Sequence, residues 1–305
     1  YGIPMTSFSD LGLSPKLLTA LAKTTLQTPT PIQAQAIPHI MAGRDLMGLA
    51  QTGTGKTAAF GLPLLHRILD LGHPPGPRHV RALILAPTRE LTLQIKDNLE
   101  VFTKGTAVRI TLVVGGASIF KQSQALAKGS DVVVATPGRL IDLLERGDVS
   151  LEKCAYLVLD EADRMLDIGF RPDIERILRR CPDDRQTLLL SATVPPAIAK
   201  LAERYMRTPE TLNFSPADIS VDTIEQFYFT VDPQRKFELL LRLLVRERPK
   251  QGIIFCRTKR GTEKVFLRLQ KKSKDPRIVA AIHGDMNQSA RDRVMAAFRA
   301  GKIRF

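Results

Sequence analysis

The fold is decided by the stretch Ala50-Gln51-Thr52-Gly53-Thr54-Gly55-Lys56-Thr57, which lies between an apolar run at 46–50 and a helical pattern at 57–71. Gly53 and Gly55 let backbone N–H groups face a phosphate without a Cβ in the way. The N-terminus of the following helix adds a partial positive charge. The stretch therefore predicts a phosphate-binding loop, with Ala50 where the general pattern has Gly. The alternative is a glycine-rich turn with a chance Lys-Thr pair, which the strand-to-helix context disfavours.

Two side chains of this loop carry the predicted chemistry. Lys56 is expected to reach the β- and γ-phosphates, and the Thr57 hydroxyl is expected to ligate Mg²⁺. The whole set of candidate binding residues in the loop is Thr52, Gly53, Thr54, Gly55, Lys56 and Thr57.

Short apolar runs alternate with amphipathic helical patterns along the first two thirds of the chain, which indicates an α/β fold with a parallel sheet covered on both faces. Ser14 followed by Pro15 predicts the start of the first helix. The predicted strands are 46–50, 82–86, 110–114, 132–135, 156–159 and 187–190, and the helices between them include 57–71, 90–102 and 138–145.

A second domain is expected after a linker. The pattern lapses into Pro, Ser, Asp and Asn near 209–222, so we predict domains at 1–208 and 223–305. Alternation of apolar and polar residues resumes at 224–231. Predicted helices follow at 235–246, 262–271 and 289–300, and predicted strands at 252–256, 278–282 and, as a beginning only, 302–305.

A hydrophobic strand that ends in acids provides the second half of the predicted site: Leu157-Val158-Leu159-Asp160-Glu161-Ala162-Asp163. Carboxylates at the carboxyl end of a parallel strand lie beside a phosphate loop in an open α/β sheet. Asp160 is predicted to hold Mg²⁺, directly or through water, and Glu161 to orient and deprotonate an attacking water. Alone, such a cluster is more often a solvated loop; its pairing with Lys56 favours the functional interpretation.

Charge and cysteine content narrow the class of protein. The 305 residues carry a net charge of +14, of which +10 falls in 214–305, so a polyanion such as nucleic acid or an anionic membrane surface is one expectation and a solvated basic surface the other. Three cysteines without a CxxC pair argue against a disulfide framework or a zinc site. No apolar run reaches the ~18 residues that span a bilayer, so a cytoplasmic location without a membrane partner is expected.

Asp160-Glu161-Ala162-Asp163 spells DEAD, and with the phosphate loop it resembles the DEAD-box ATP-dependent RNA helicases of the bacterial type. Pro29-Thr30-Pro31-Ile32-Gln33 is similar to the family's Q motif, with Phe8 seventeen residues before Thr25, where the family usually has Gly. The resemblance implies that Gln33 reads adenine and Phe8 packs on the base, hence ATP with Mg²⁺ as cofactors. Phe8 is alternatively a core anchor, and both roles can hold together.

Further segments resemble the family's RNA-backbone motifs in the family's order, although helix capping alone would explain any single one. The resemblance implies an RNA partner held through its phosphates, RecA-like domains in both parts, and coupling of nucleotide to RNA by Asp163, Ser191 and Thr193. His283 is read as a turn residue without chemistry. The implied RNA-binding residues are Pro87, Thr88, Arg89, Gly115, Gly116, Thr136, Pro137, Gly138, Arg139, Arg257, Thr258, Gln288 and Arg291.

The family continues beyond the point where this sequence stops, with a segment that supplies arginine fingers to the γ-phosphate. The resemblance therefore implies a second RecA-like domain that is incomplete, and a fragment that binds nucleotide but turns it over poorly. We expect a monomer, with ribonucleoprotein or RNA-decay partners. An ATP-gated RNA clamp or scaffold is the alternative function. A GTPase or transporter ATPase is disfavoured because no NKxD or LSGGQ stretch is present, and a DNA helicase is disfavoured by the DEAD spelling and the TPGR segment.

Overall fold

The computed structural model describes residues 7–51, 53–214 and 225–305. The chain divides into two compact units, Tyr1–Ile219 and Ser220–Phe305. In the described residues, no helix is both long and apolar enough to cross a membrane.

The first unit is built on one sheet of seven strands in its described part. Every strand pair is parallel, and the order across the sheet is β3-β4-β2-β5-β6-β1-β7. The strands are β1 (Leu46–Leu49), β2 (Val80–Leu85), β3 (Ile110–Val113), β4 (Ser130–Ala135), β5 (Tyr156–Leu159), β6 (Gln186–Ser191) and β7 (Glu210–Asn213).

Helices connect these strands and cover the sheet. A 3-10 turn at Phe8–Leu11 precedes them. The helices of the first unit are α1 (Pro15–Leu21), α2 (Pro31–Met41), α3 (Lys56–Asp70), α4 (Arg89–Thr103), α5 (Ile119–Ala127), α6 (Pro137–Glu145), α7 (Ala162–Ile168), α8 (Arg171–Leu178) and α9 (Pro196–Tyr205).

Alternate residues of the central strands pack into two separate cores, one on each face of the sheet. Ala82 and Ile84 join the core formed with α1 to α4, whereas Leu83 and Leu85 join the core formed with α5 to α9. All six residues of β2 are buried. The predicted α/β fold with a parallel sheet covered on both faces is therefore confirmed for the first unit.

The two ends of this unit compare differently with the sequence prediction. The predicted helix start is confirmed, because Ser14 is the N-cap of α1 and Pro15 its first residue. The Ser14 side chain makes no capping bond in the described structure, and its N–H donates to Nδ1 of His66 at 3.0 Å. The linker prediction for 209–222 is wrong at Glu210–Asn213, which forms β7 and pairs with β1. Residues 215–222 of that predicted linker lie outside the described residues.

The second unit contains helices α10 (Lys236–Glu247), α11 (Lys259–Lys272) and α12 (Gln288–Arg299), and a 3-10 turn at Pro276–Ile278. Its described residues contain no strand, so the predictions at 252–256, 278–282 and 302–305 are wrong. The N–H of Gly252 donates to the C=O of Arg304, the N–H of Arg304 donates to Ile278, and the N–H of Ala280 donates to Phe305. These isolated bonds join the three segments without making the continuous ladder that defines a sheet.

Candidate functional site

The strand order brings the predicted site segments to one edge of the sheet. Each segment follows the carboxyl end of a strand, and these ends face the same way because the strands are parallel. Across the edge the order is 115–116 after β3, 136–139 after β4, 87–89 after β2, 160–163 after β5, 191–193 at the end of β6 and the phosphate loop after β1. The predicted RNA segments of this unit are thus neighbours, and the predicted nucleotide and coupling segments are neighbours beside them.

The phosphate loop has the backbone that its glycines were predicted to provide. Gly53 has φ +88° and Gly55 has φ +90°, both in the left-handed region that favours glycine. Gly55 is the N-cap of α3, Lys56 is its first residue, and Thr57 follows in the same turn. Thr52 lies outside the described residues.

The polar groups of Gln33 are engaged by the protein itself. Gln33 is fully buried; its Oε1 accepts from the N–H of Thr30 at 2.9 Å, and its Nε2 donates to the C=O of Gly55 at 3.1 Å. The Thr30 hydroxyl donates to the C=O of Thr54 at 3.0 Å. The start of α2 is therefore tied to the phosphate loop. The adenine contact of Gln33 stays a prediction. Phe8 is buried in the first core, which agrees with its alternative role as a core anchor.

The predicted acids meet the loop lysine. Lys56 Nζ lies 3.5 Å from Oδ1 of Asp160 and donates to the C=O of Ala50 at 3.2 Å. Both side chains are buried, and burial raises the pKa of the Asp160 carboxyl, although the Lys56 ammonium acts in the opposite direction. Glu161 adopts a left-handed backbone with φ +51°. Its N–H donates to Asp160, and its Oε2 lies 3.4 Å from Arg164.

The donors at this point fit a Mg²⁺ ion that is bound together with nucleotide phosphates. Mg²⁺ usually keeps several waters and binds through one or two carboxylates together with substrate phosphates. Asp160 and the hydroxyl of Thr57 are donors of that kind, beside the phosphate loop. Those two residues are the ones that would hold the ion.

A hydrogen-bonded link joins the end of β5 to the end of β6. Oδ2 of Asp163 accepts from the Thr193 hydroxyl at 2.8 Å and from the Thr193 N–H at 3.0 Å. The Ser191 hydroxyl donates to the C=O of Thr193 at 2.7 Å. Burial acts to raise the pKa of the Asp163 carboxyl, but the hydrogen bonds from Thr193, Arg164 and Ser191 prevail and lower it. The three residues predicted to couple the two functions are thus in direct contact.

The candidate RNA segments of the first unit differ in how their polar groups are used. The Thr88 hydroxyl caps α4 by accepting from the N–H of Leu91 at 3.2 Å, beside the buried Pro87 and the first helical residue, Arg89. This matches the helix-capping alternative at that position.

The other two segments are joined to each other. Thr136 occupies the N-cap position of α6 with Pro137 behind it, and its side chain makes no capping bond to the described residues. Gly115 and Gly116 are exposed, and Gly116 has φ +74°. Arg139 donates to the C=O of Ala117 at 2.8 Å and so fixes the two segments together. Gly138 lies between Pro137 and Arg139 in the first turn of α6.

The candidate residues of the second unit lie at helix starts. Thr258 caps α11 by accepting from the N–H of Gly261 at 3.0 Å, next to the exposed Arg257. Arg291 donates to the side chain of Gln288 at 3.3 Å in the first turn of α12. His283, which was predicted to have no chemistry, contacts Glu263 with 2.6 Å between Nε2 and Oε1.

Comparison with known proteins follows the same division of the chain. The pattern of the DEAD/DEAH box helicase family matches residues 30–201, more than half of the chain, and that of the helicase conserved C-terminal domain matches residues 235–305.

The chain belongs to the DEAD/DEAH box helicase family.

Relatives of this helicase chain agree with that assignment. It is 42% identical over 299 residues to the ATP-dependent RNA helicase CshA of Listeria monocytogenes, and 41% identical over 296 residues to that of Limosilactobacillus reuteri. These alignments cover 98% and 97% of the chain but only 56% and 58% of the relatives. The chain thus spans about half the length of the curated relatives it matches.

A solved structure supports the predicted architecture. A DEAD box protein from the hyperthermophile Methanococcus jannaschii matches with a TM-score of 0.64 and 37% identity, over 98% of this chain and 78% of that one. Together with the two family matches, this confirms the prediction of two RecA-like domains.

Two side chains of this helicase chain are part of the site but were not predicted. Thr30 holds the C=O of Thr54, and the Thr-x-x-Gln capping pattern at the start of α2 is a signal that could have revealed it. The buried Gln122 accepts from the N–H of Val114 and donates to its C=O, both at 3.0 Å, and so fixes the backbone just before Gly115. No sequence pattern singles out Gln122 for this role.

Proposed function

We propose that a protein carrying this chain is an ATP-dependent RNA helicase, to which the chain supplies nucleotide-binding and RNA-gripping groups. The observation that carries the proposal is the shared edge of the sheet, where Lys56 lies 3.5 Å from Asp160 and the Asp163–Thr193 link stands next to them. Family membership and the printed names of the relatives, ATP-dependent RNA helicase CshA, support the same activity.

The nucleotide half of the site acts through charge and position. The backbone N–H groups of the phosphate loop and the N-terminus of α3 bind the phosphates, and Lys56 neutralises charge on the β- and γ-phosphates. Thr57 and Asp160 would hold Mg²⁺, and the ion would stabilise the charge that develops on the phosphates. Glu161 accepts a proton from the water that it orients for attack. Gln33 and Phe8, both buried in this structure, are the residues proposed to select adenine.

The RNA half of the site grips the backbone. The predicted segments place helix N-termini, N–H groups and arginines at this edge, and such groups bind phosphates without reading bases. In the second unit Arg257, Thr258, Gln288 and Arg291 are proposed to serve the same purpose. The Asp163–Thr193 link ties the end of β5 to the end of β6, between the RNA segment after β2 and the phosphate loop after β1. It is proposed to couple the state of the γ-phosphate to the RNA segments.

Nucleotide binding is tested on the chain itself. Isothermal titration calorimetry with Mg²⁺ and ADP is expected to give saturable binding to the wild type and none to Lys56→Met. Because Lys56 is buried against a carboxylate, its replacement can also destabilise the fold, so Thr57→Val serves as a second variant and circular dichroism confirms that both are folded. Wild-type protein that binds no adenine nucleotide would contradict the proposal.

Strand separation distinguishes a helicase from an ATP-gated clamp. A protein that carries this chain is expected to release the short strand of an RNA duplex in the presence of ATP, and not with a non-hydrolysable analogue. RNA-dependent ATP turnover without any strand release would favour the clamp. Equal stimulation of turnover by DNA and RNA of one sequence would contradict RNA as the substrate, since the 2′-hydroxyl is the group that distinguishes them.

A further inference from the structure

The outer face of α5 is the feature that the proposed function does not use. Phe120, in the first turn, is 65% exposed, more than any other large apolar side chain in the described part of the first unit. Burying a Phe side chain is worth about 1.5–3 kcal/mol, so its position in solvent is not explained by packing. The helix begins at Ile119, separated by two residues from the Gly115–Gly116 segment, at the edge where the candidate RNA segments lie.

The inner face of α5 fixes the direction of this outer face. Gln122 and Leu126 are buried, Gln122 by its two bonds to Val114 and Leu126 in the core beneath the sheet. Because successive residues of a helix are 100° apart, burial of Gln122 and Leu126 leaves a contiguous stripe on the opposite side of α5 facing solvent. The exposed stripe consists of Phe120, Lys121, Gln124, Ala125, Ala127 and Lys128.

Charge along this stripe favours a polyanion. The sequence has no Asp or Glu from 101 to 130, and the stripe itself carries Lys121 and Lys128. The far end of the stripe is extended by Arg109, which donates to the C=O of Lys128 at 2.7 Å. The next acid in the sequence, Asp131, is buried and paired with Arg81 at 2.9 Å. Asp148, which is hydrogen-bonded to Ser123 of α5, is paired with Arg146 at 2.9 Å.

We propose that single-stranded RNA leaving the Gly115–Gly116 segment continues along the outer face of α5, with a base stacked on Phe120 and phosphates held by Lys121 and Lys128. An aromatic ring beside cationic side chains that follow the backbone is how proteins bind single strands without reading sequence. This inference rests on the proposed function, because it extends the RNA path of the same edge.

Binding of a single strand tests the stacking contact. Fluorescence anisotropy with labelled oligouridine of about 12 nucleotides, within the usual size of single-strand sites, is measured with Mg²⁺ and a non-hydrolysable ATP analogue. Phe120→Ala is expected to weaken binding about five- to a hundredfold, as loss of one stacked base does. Phe120→Trp is expected to retain the affinity, because it restores the ring. Val101→Ala, at an apolar position on α4 that is 51% exposed, is the matched control.

The lysines are tested by salt dependence. Each phosphate contact on a single strand contributes about 0.7 to the slope of log affinity against log salt. Lys121→Ala and Lys128→Ala are each expected to reduce the slope by about that amount, while Lys200→Ala, an exposed lysine on α9, leaves it unchanged. Ultraviolet crosslinking of the bound strand is expected to label the peptide that contains Phe120.

The outcomes separate this inference from the proposed function. Affinity of Phe120→Ala within twofold of wild type, with salt slopes unchanged in both lysine variants, overturns the α5 path and leaves the helicase proposal intact. Wild-type chain that binds ADP but no RNA overturns both. Because the Phe120 side chain is exposed, we expect Phe120→Ala to unfold at the same temperature as the wild type. That result excludes misfolding as the cause of a loss of RNA affinity.

Discussion

Of the groups that donate hydrogen bonds to Asp163, the Thr193 hydroxyl lowers the pKa of the carboxyl most. Together these bonds lower the pKa of the carboxyl against the opposing effect of burial. A carboxyl whose folded pKa is lowered contributes stability above its unfolded pKa, about 3.9, and loses it as the pH falls through the folded value. This contribution is therefore fully present at neutral pH and is lost only in strong acid.

Thr193→Val is expected to raise the pH at which the stability contributed by the Asp163 carboxylate is lost. The variant removes the hydroxyl donor and keeps the backbone N–H, so the Asp163 pKa rises toward its ordinary value. A hydrogen bond to a charged group is worth about 1.5–3 kcal/mol, and the half-exposed position of this pair reduces the loss to about 1 kcal/mol. Carbon-13 NMR titration of the Asp163 carboxyl measures the pKa directly.

The matched control is Thr193→Ser, which retains the hydroxyl and is expected to keep the low pKa. ADP binding is expected to be similar in wild type and both variants, while the gain in RNA affinity on adding nucleotide falls only in Thr193→Val. An Asp163 pKa that does not respond to Thr193→Val would refute the link as described.

At the level of single residues, the sequence was informative where chemistry demands a residue type. The convergence of Lys56 and Asp160 followed from a phosphate loop and a strand that ends in acids. The bond from Arg139 to Ala117 did not, because it depends on the distance between two loops far apart in sequence. The full burial of Gln33 could not be predicted either, because a Q motif does not indicate which atoms the Gln33 amide contacts.

Gly53 and Gly55 allow the phosphate loop to be tested as an element. Both have a left-handed backbone, where any residue with a Cβ costs about 1–2 kcal/mol. A Cβ on Gly53 would meet no described heavy atom within 4 Å, whereas one on Gly55 would lie 2.6 Å from Nε2 of Gln33 and 3.1 Å from the Thr30 hydroxyl. We expect Gly53→Ala to lower the free energy of unfolding only by the cost of a left-handed backbone. Gly55→Ala is expected to lower it by about 1–3 kcal/mol more, because the added methyl group overpacks the site.

Urea unfolding measures both costs, and the double variant Gln33→Ala/Gly55→Ala isolates the clash. Removal of the Gln33 amide opens the space that the new methyl needs, so the double variant is expected to lose less than the sum of the two single changes. Equal costs for Gly53→Ala and Gly55→Ala, or strict additivity in the double variant, would show that α2 does not brace the loop.

Among the elements, the central strands were predicted within one or two residues because each is a buried apolar run. The strand β7 was missed because Glu210–Asn213 contains one apolar residue, Leu212, and lies at the end of the sheet with only β1 beside it. The exposure of β7 leaves it without the apolar pattern on which the prediction depends, whereas β3 at the opposite edge has an apolar run and was predicted. In the second unit the apolar runs were recognised correctly, but the described residues join them by too few backbone bonds to form strands.

The two units of the whole molecule differ in the size of their cores. The first has an extensive apolar cluster on each face of its sheet. Among the described residues of the second, the buried cluster consists of Phe237, Leu269 and Val279. Phe255 and Ile253 are 92% and 65% exposed there. Since burial of apolar surface is the main stabilising contribution, the second unit is expected to unfold at a lower urea concentration than the first.

Hydrogen exchange with mass spectrometry at increasing urea concentrations follows the unfolding of the two units in one experiment. The method does not depend on tryptophan fluorescence, and the chain contains no tryptophan. Peptides from 235–305 are expected to lose protection first, and peptides from the strands of the first unit later. Mg²⁺ with ADP at a hundred times its dissociation constant is expected to stabilise the first unit by about 2.7 kcal/mol, because Lys56, Thr57 and Asp160 all lie in it. The protection of 235–305 is expected to change little. If every peptide lost protection in a single transition that ADP shifted as a whole, the two units would be one cooperative unit and the difference in their cores would not determine stability.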